Sequence, residues 1–172
     1  MGGGIRSVEK ARELLHAGAD KLTINSYALE NPKILSKLAE EFGSQAIVAS
    51  LQLKKIGNEY TVMSYNGREP FGKKLSDWII ELQELGAGEV MITSIDQEGT
   101  CRGFDIELLK QIKQLTHVPL ICSGGIANDI HAEECFANGA DAAAIAAAFH
   151  FKKTSIKEIK TNLLAKGVDI RQ

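Results

Sequence analysis

The sequence predicts an α/β fold of the (β/α)8 TIM-barrel type, incomplete, with strands three or four to eight present and the first strands missing. Three observations predict it. Helical and strand-like patterns alternate from end to end, the order that gives a parallel sheet with crossover helices. The strand-like runs are short and apolar, as strands covered on both faces are. A Gly-Gly-Ile then Gly-Ala-Asp pattern also occurs twice: Gly3-Gly4-Ile5 precedes Gly18-Ala19-Asp20 by 15 positions, and Gly124-Gly125-Ile126 precedes Gly139-Ala140-Asp141 by the same 15. The copies lie 121 residues apart. At roughly 30 residues per βα unit that offset is four units, half of an eightfold barrel. The two Gly-Gly-Ile turns then face each other across one barrel mouth.

The elements follow in order. Ser7 is placed to cap a helix with apolar residues at Val8, Ala11 and Leu15 that closes at Gly18. Lys21 to Asn25 reads as the first strand, and Asn31-Pro32 opens a helix through Ile34, Leu35 and Leu38 to Gly43. Ala46 to Leu51 is the second strand. Ser76 opens a helix with Trp78, Leu82 and Leu85 on one face, followed by a strand from Glu89 to Ile95. Asp105 starts the next helix, with Leu108, Ile112 and Leu115 at the same spacing, and Pro119 to Cys122 is the fourth strand. Asp129 begins a helix that ends at Gly139, Asp141 to Ala147 is the fifth strand, and Ser155 opens a sixth helix with Ile156, Ile159 and Leu163.

Residues 1–172 form a single partial barrel domain in this reading. Its one interruption is 54–68, where Tyr60-Thr61-Val62-Met63 sits between the turn dipeptides Gly57-Asn58 and Asn66-Gly67. That pattern predicts a β-hairpin inserted after a barrel strand. A whole barrel of this class runs to roughly 250 residues, so about 80 are absent. Gly2-Gly3-Gly4 stands where a third strand would end, which makes the earlier strands the missing ones. Five strands leave exposed edges, so the chain is expected to be unstable alone: a fragment, a split gene product or a mis-assigned start.

Bulk properties exclude several function classes. The chain has 172 residues, 44% hydrophobic and 24% charged, with a formal net charge of -2. It has no general attraction to nucleic acid or anionic membranes, so an anionic ligand must be held locally. Three cysteines, Cys101, Cys122 and Cys135, form no C-x-x-C pair and no even disulfide set, which fits a reduced, cytoplasmic setting. His16, His117, His131 and His150 lack metal-ligand spacing, so no metal and no cofactor is expected. Ala142 to Phe149 is too short an apolar run for a membrane helix.

Each Gly-Gly turn follows a strand and leads into a helix, so its backbone N–H groups can point at an anion. Ser123 adds a hydroxyl beside Gly124 and Gly125. The next strand supplies a second wall, Asn25-Ser26 in one half and Ala146-Ala147 in the other. Two such sites across one mouth imply a ligand phosphorylated at both ends. The plainer alternative is that the glycines only make tight βα turns.

Gly2 to Arg6, GADKLTINS from Gly18 to Ser26, FGSQAIV from Phe42 to Val48, GAGEVMITSIDQEGT from Gly86 to Thr100, SGGI from Ser123 to Ile126 and FHF from Phe149 to Phe151 resemble the cyclase subunits of imidazole glycerol phosphate synthase. The likeness runs over essentially the whole chain, in order. It implies a ribulose-phosphate-binding barrel that receives ammonia from a glutaminase subunit in a heterodimer. The barrel uses that ammonia to convert a bis-phosphorylated ribulosyl intermediate to imidazole glycerol phosphate and aminoimidazole carboxamide ribotide, in histidine biosynthesis. By resemblance Gly3, Gly4, Asn25 and Ser26 hold one phosphate, and Ser123, Gly124, Gly125, Ala146 and Ala147 the other. A serine often found at the Ala147 position is missing.

The resemblance also implies an acid-base pair of aspartates at the ends of strands one and five. The first lies in the absent region, and the second position is Gln52, an amide that cannot titrate. Glu98, in the loop Asp96 to Thr100 where the family usually has aspartate, and Thr93 complete the catalytic group by resemblance. Lys21 and Glu89 would belong to a ring of charges gating an ammonia channel at the barrel bottom, with Asp20 at the glutaminase interface. Gln52, Glu98 and Ala147 also suit a paralogue that channels ammonia to a sugar amidotransferase for surface-polysaccharide synthesis, and the truncation suits a non-catalytic fragment.

Overall fold

A computed structural model describes residues 1–65 and 67–171. In chain order the elements are α1 (Val8–His16), β1 (Leu22–Ile24), α2 (Ser26–Glu30), α3 (Lys33–Phe42), β2 (Ile47–Ile56), β3 (Glu59–Ser64), β4 (Glu69–Pro70), α4 (Leu75–Glu84), β5 (Glu89–Ser94), α5 (Ile106–Lys113), β6 (Leu120–Ser123), α6 (Asp129–Ala137), β7 (Ala142–Ala144), α7 (Ala147–His150) and α8 (Ile156–Ala165). Strands β1, β2, β5, β6 and β7 pair in parallel in that order. Helices alternate with them, so the chain is an α/β protein with a parallel sheet, an order consistent with a TIM-type barrel. Ahead of β1, Gly2 bridges Thr23 in parallel, and the Thr23 N–H donates to the Met1 carbonyl at 2.7 Å. The residues before the first Gly-Gly-Ile turn therefore run beside β1 as a strand does.

Alternation of side chains along the strands sorts the two faces of the sheet. Ile47, Ala49, Leu51 and Leu53 of β2, with Val90 and Ile92 of β5, are buried in one core against the helices. Helix α3 adds Ile34, Leu35 and Leu38, and α4 adds Trp78, Ile79 and Leu82. Each fully buried aliphatic side chain stabilises the fold by about 1.5–3 kcal/mol over leaving it in water. The period of two leaves Ser50, Gln52, Thr93 and Ser123 on the opposite face. Register sets Gln52 beside Thr93, and Thr93 beside Ser123.

Three helices start on the residue the sequence predicts. Ser7, Asp105 and Ser155 accept from the backbone N–H groups of Lys10, Leu108 and Glu158 at 3.2, 3.1 and 3.1 Å, each cap contributing about 1 kcal/mol. One start differs. Helix α4 begins at Leu75 after Lys74, because the Ser76 hydroxyl bonds to Asp77 at 3.0 Å instead of capping the backbone. Helix α6 begins at Asp129 as expected, capped by Asn128, whose side-chain oxygen accepts from the His131 N–H at 2.9 Å.

The expected strand Asp141 to Ala147 is a second correction. It ends at Ala144 and its alanines are only half-buried, while Ala147 starts α7. Short α2 and α7 were not predicted, because runs of five and four residues carry too little helical period to read. They occupy the same place in the repeat, since Ser26 and Ala147 are 121 apart.

Strand β2 continues as one strand to Ile56, turns at Gly57-Asn58, and pairs antiparallel with β3, which pairs antiparallel with β4. Asn66, of the expected Asn66-Gly67 turn, lies outside the described residues. This meander is tied to α5: the Tyr60 hydroxyl donates to Asp105 at 2.8 Å, and the Lys55 ammonium to Glu107 at 2.7 Å. Among the described residues no helix is long and apolar enough to cross a membrane.

Candidate functional site

The sequence repeat is also a repeat in backbone geometry. Gly3 and Gly124 have φ of 98° and 103°, Gly4 and Gly125 have 67° and 82°, and Gly18 and Gly139 have 99° and 96°. All six lie in the left-handed region that a side chain disfavours. Ile5 and Ile126, which follow the paired glycines, are 4% and 3% exposed and anchor each turn in the core.

Each turn opens on a cavity at the C-terminal ends of the parallel strands, the end where ligands bind in parallel α/β sheets. The first, about 450 Å³, brings together Gly3, Gly4, Asn25 and Ser26. The second, about 150 Å³, brings together Ser123, Gly124, Gly125, Ala146 and Ala147. The reason for glycine differs between them. A Cβ on Gly3 or Gly4 would meet no atom within 4 Å, so only the backbone conformation and the open cavity ask for glycine there. At Gly124 a Cβ would lie 2.7 Å from the Ser94 carbonyl, and at Gly125 2.1 Å from the Gly103 carbonyl. In the second half the protein's own backbone already fills the space a side chain would take, which by itself asks for glycine at both positions.

The residues expected to be catalytic divide. Gln52 and Thr93 are neighbours across β2 and β5, and Thr93 is buried. The Gln52 Oε1 atom is buried without a hydrogen-bond partner. Such an orphaned acceptor is uncommon in folded proteins and calls for an explanation. Glu98 lies in the second cavity, with Gly99 and the Gly124-Gly125 turn. Within its loop it is Asp96 that takes a backbone bond, accepting from the Lys55 N–H at 2.8 Å. At the opposite, N-terminal end of the sheet, Lys21 and Glu89 form an ion pair across the start of β2, with Asp20 exposed beside them.

Residues 1–155 match the family described as histidine biosynthesis protein. The chain belongs to this family. It is 45% identical over 172 residues to the imidazole glycerol phosphate synthase subunit HisF of Chlorobaculum parvum, a match covering 99% of the chain and 68% of that relative. The subunits HisF of a Thermotoga species and of Chloroherpeton thalassium are 42% and 45% identical to it, again over 99% of the chain and 68% of their own length.

Within this histidine biosynthesis fold, several lining residues escaped the sequence reading. Arg6, Glu30 and Tyr65 line the first cavity, and Gly99 and Cys101 the second. Arg6 had a signal, since it follows the first Gly-Gly-Ile turn directly. Tyr65 had none, because it arrives from the tip of the meander and donates to Glu30 at 2.7 Å. That bond to a carboxylate holds the Tyr65 phenol above its usual pKa. Among the described residues no group of three His, Cys, Asp or Glu side chains is placed to hold a metal ion.

Proposed function

We propose that the chain acts as the cyclase-type subunit of an imidazole glycerol phosphate synthase. Ammonia from a glutaminase partner converts a bis-phosphorylated ribulosyl intermediate to imidazole glycerol phosphate and aminoimidazole carboxamide ribotide. The observation that carries this reading is the pair of repeat-related cavities, each built on two left-handed glycines at the same end of one sheet. They suit a ligand with a phosphate at each end. Its five parallel strands are read as strands four to eight of an eightfold barrel, with the mouth on one face and the glutaminase on the other.

In the proposed mechanism the turn amides of Gly3-Gly4 and Gly124-Gly125, with Asn25, Ser26 and Ser123, fix the two phosphates and hold the reacting carbons between them. Ammonia enters past Lys21 and Glu89, with Asp20 at the docking face. The free Gln52 Oε1 accepts from ammonia or a substrate hydroxyl and orients it beside Thr93. Gln52 exchanges no proton near neutral pH, so any proton transfer from this wall falls to Glu98. No cofactor is invoked, and the proposed setting is cytoplasmic.

The amide at Gln52 also favours a second reading, a paralogue that passes ammonia to a sugar amidotransferase. One assay separates the two. Turnover of the ribulosyl intermediate with ammonium salts supports the cyclase; no turnover, with activity appearing in Gln52→Asp, supports the paralogue. A partner glutaminase that is not stimulated by the chain removes the ammonia route from both.

A further inference from the structure

The two cavities share the repeat's glycines but differ in what surrounds them. Arg6, Glu30 and Tyr65 line the larger first cavity. The residues 121 positions after Arg6 and Glu30 are Ala127 and Phe151, and neither lines the smaller second one. Tyr65 has no counterpart there either, because the β3–β4 meander that carries it sits beside the first cavity. The asymmetry is therefore of chemistry as well as size, about 450 against 150 Å³.

A carboxylate is a poor neighbour for a bare phosphate. Glu30 repels an anion and can only accept hydrogen bonds, whereas a sugar hydroxyl beside the phosphate offers the donor it needs. Arg6, on the same wall, supplies the positive charge that keeps the cavity receptive to phosphate. The Tyr65 hydroxyl, bonded to Glu30 at 2.7 Å from a backbone with φ of 47°, fixes the direction in which the carboxylate presents its remaining lone pairs. The second cavity offers Ser123, glycine and alanine backbone, and Glu98 at its rim. Its small volume has room for the phosphate and little beside it.

We propose that the first cavity selects a phosphosugar, with the phosphate on the Gly3-Gly4 turn and Arg6 and an adjacent hydroxyl on the Glu30–Tyr65 pair, while the second takes the phosphate group alone. Glu30 and Tyr65 are then specificity-determining residues, and they set which end of a two-phosphate ligand enters which half. This rests on the two-phosphate reading of the mouth.

The test is a titration of the chain with inorganic phosphate and with ribose 5-phosphate, read from the backbone amide signals of Gly3 and Gly4 for one site and of Gly124 and Gly125 for the other. At the first site ribose 5-phosphate binds about tenfold more tightly than inorganic phosphate, the gain of one hydrogen bond to a charged acceptor. At the second site the two ligands bind alike. Glu30→Gln and Tyr65→Phe reduce the preference at the first site, Arg6→Ala weakens both ligands there, and Arg6→Lys retains most of the binding. None of the four changes the second site. Equal affinity for the two ligands at the first site, or a preference that survives Glu30→Gln, overturns the proposal while leaving two anion sites standing. If neither ligand moves the Gly3 and Gly4 signals, the two-phosphate reading falls and this one with it.

Discussion

Gln52 is the side chain at which the proposed function sets a cost in stability. Its Oε1 is buried and unpartnered, and a buried acceptor without a donor costs about 1–3 kcal/mol. Gln52→Leu removes that cost at similar volume, so urea denaturation should show a gain of about 1 kcal/mol; binding of the ribulosyl intermediate should weaken in the same variant. A loss of stability instead would mean that the amide is satisfied in the folded chain. The glycines make a second residue-level contrast. Gly4→Ala meets only backbone strain, about 1 kcal/mol, because its Cβ points into open space. Gly125→Ala adds a 2.1 Å clash with the Gly103 carbonyl, so its cost should exceed that of Gly4→Ala by about 1–3 kcal/mol. Comparing the two midpoints in one denaturant series checks the order. The glycines themselves were legible because their spacing repeats; the neighbour that forbids a side chain at Gly125 was not, since Gly103 reaches it only through the fold.

Among the elements, the six long helices and the five parallel strands could be read from apolar period, caps and turns. What escaped was short or non-local: α2 and α7 fall below one readable period, and the hydroxyl of Ser76 found Asp77 before it found the backbone. The bond that ties the meander to α5 was equally hidden, because Tyr60 and Asp105 are 45 residues apart. Burial first, then the Asp105 and Glu107 carboxylates, push the Tyr60 phenol well above its ordinary pKa. A phenol whose folded value exceeds the unfolded value of about 10 stabilises the fold fully below that pH and progressively less as pH rises through the folded value. Tyr60→Phe should therefore cost about 1 kcal/mol at neutral pH. It should also flatten the loss of stability above pH 10, as followed by thermal melts across an alkaline series. An unchanged alkaline profile would remove Tyr60 from the account.

On the proposed reading, the whole molecule puts two functions at opposite ends of one sheet. The cavities sit at the C-terminal ends of the strands and the Lys21–Glu89 pair at the N-terminal ends. Because the Lys21 side chain is nearly half exposed, Lys21→Ala should change stability by less than about 1 kcal/mol. Glutamine-dependent turnover with a partner glutaminase should fall while ammonium-dependent turnover holds, and an equal fall in both would place Lys21 outside the ammonia route. The 121-residue repeat is where the sequence spoke at this scale, since a matched offset needs no knowledge of contacts. The unequal surroundings of its two halves were invisible to it, because Glu30 and Tyr65 meet only in the folded chain. Calorimetric titration with the bis-phosphorylated ribulosyl intermediate, followed in parallel by the glycine amide signals, asks whether one ligand spans both turns. A ligand held by both its phosphates binds as one equivalent, with Gly3, Gly4, Gly124 and Gly125 responding on a single curve. Two equivalents, or a response from one turn alone, would contradict the two-phosphate reading.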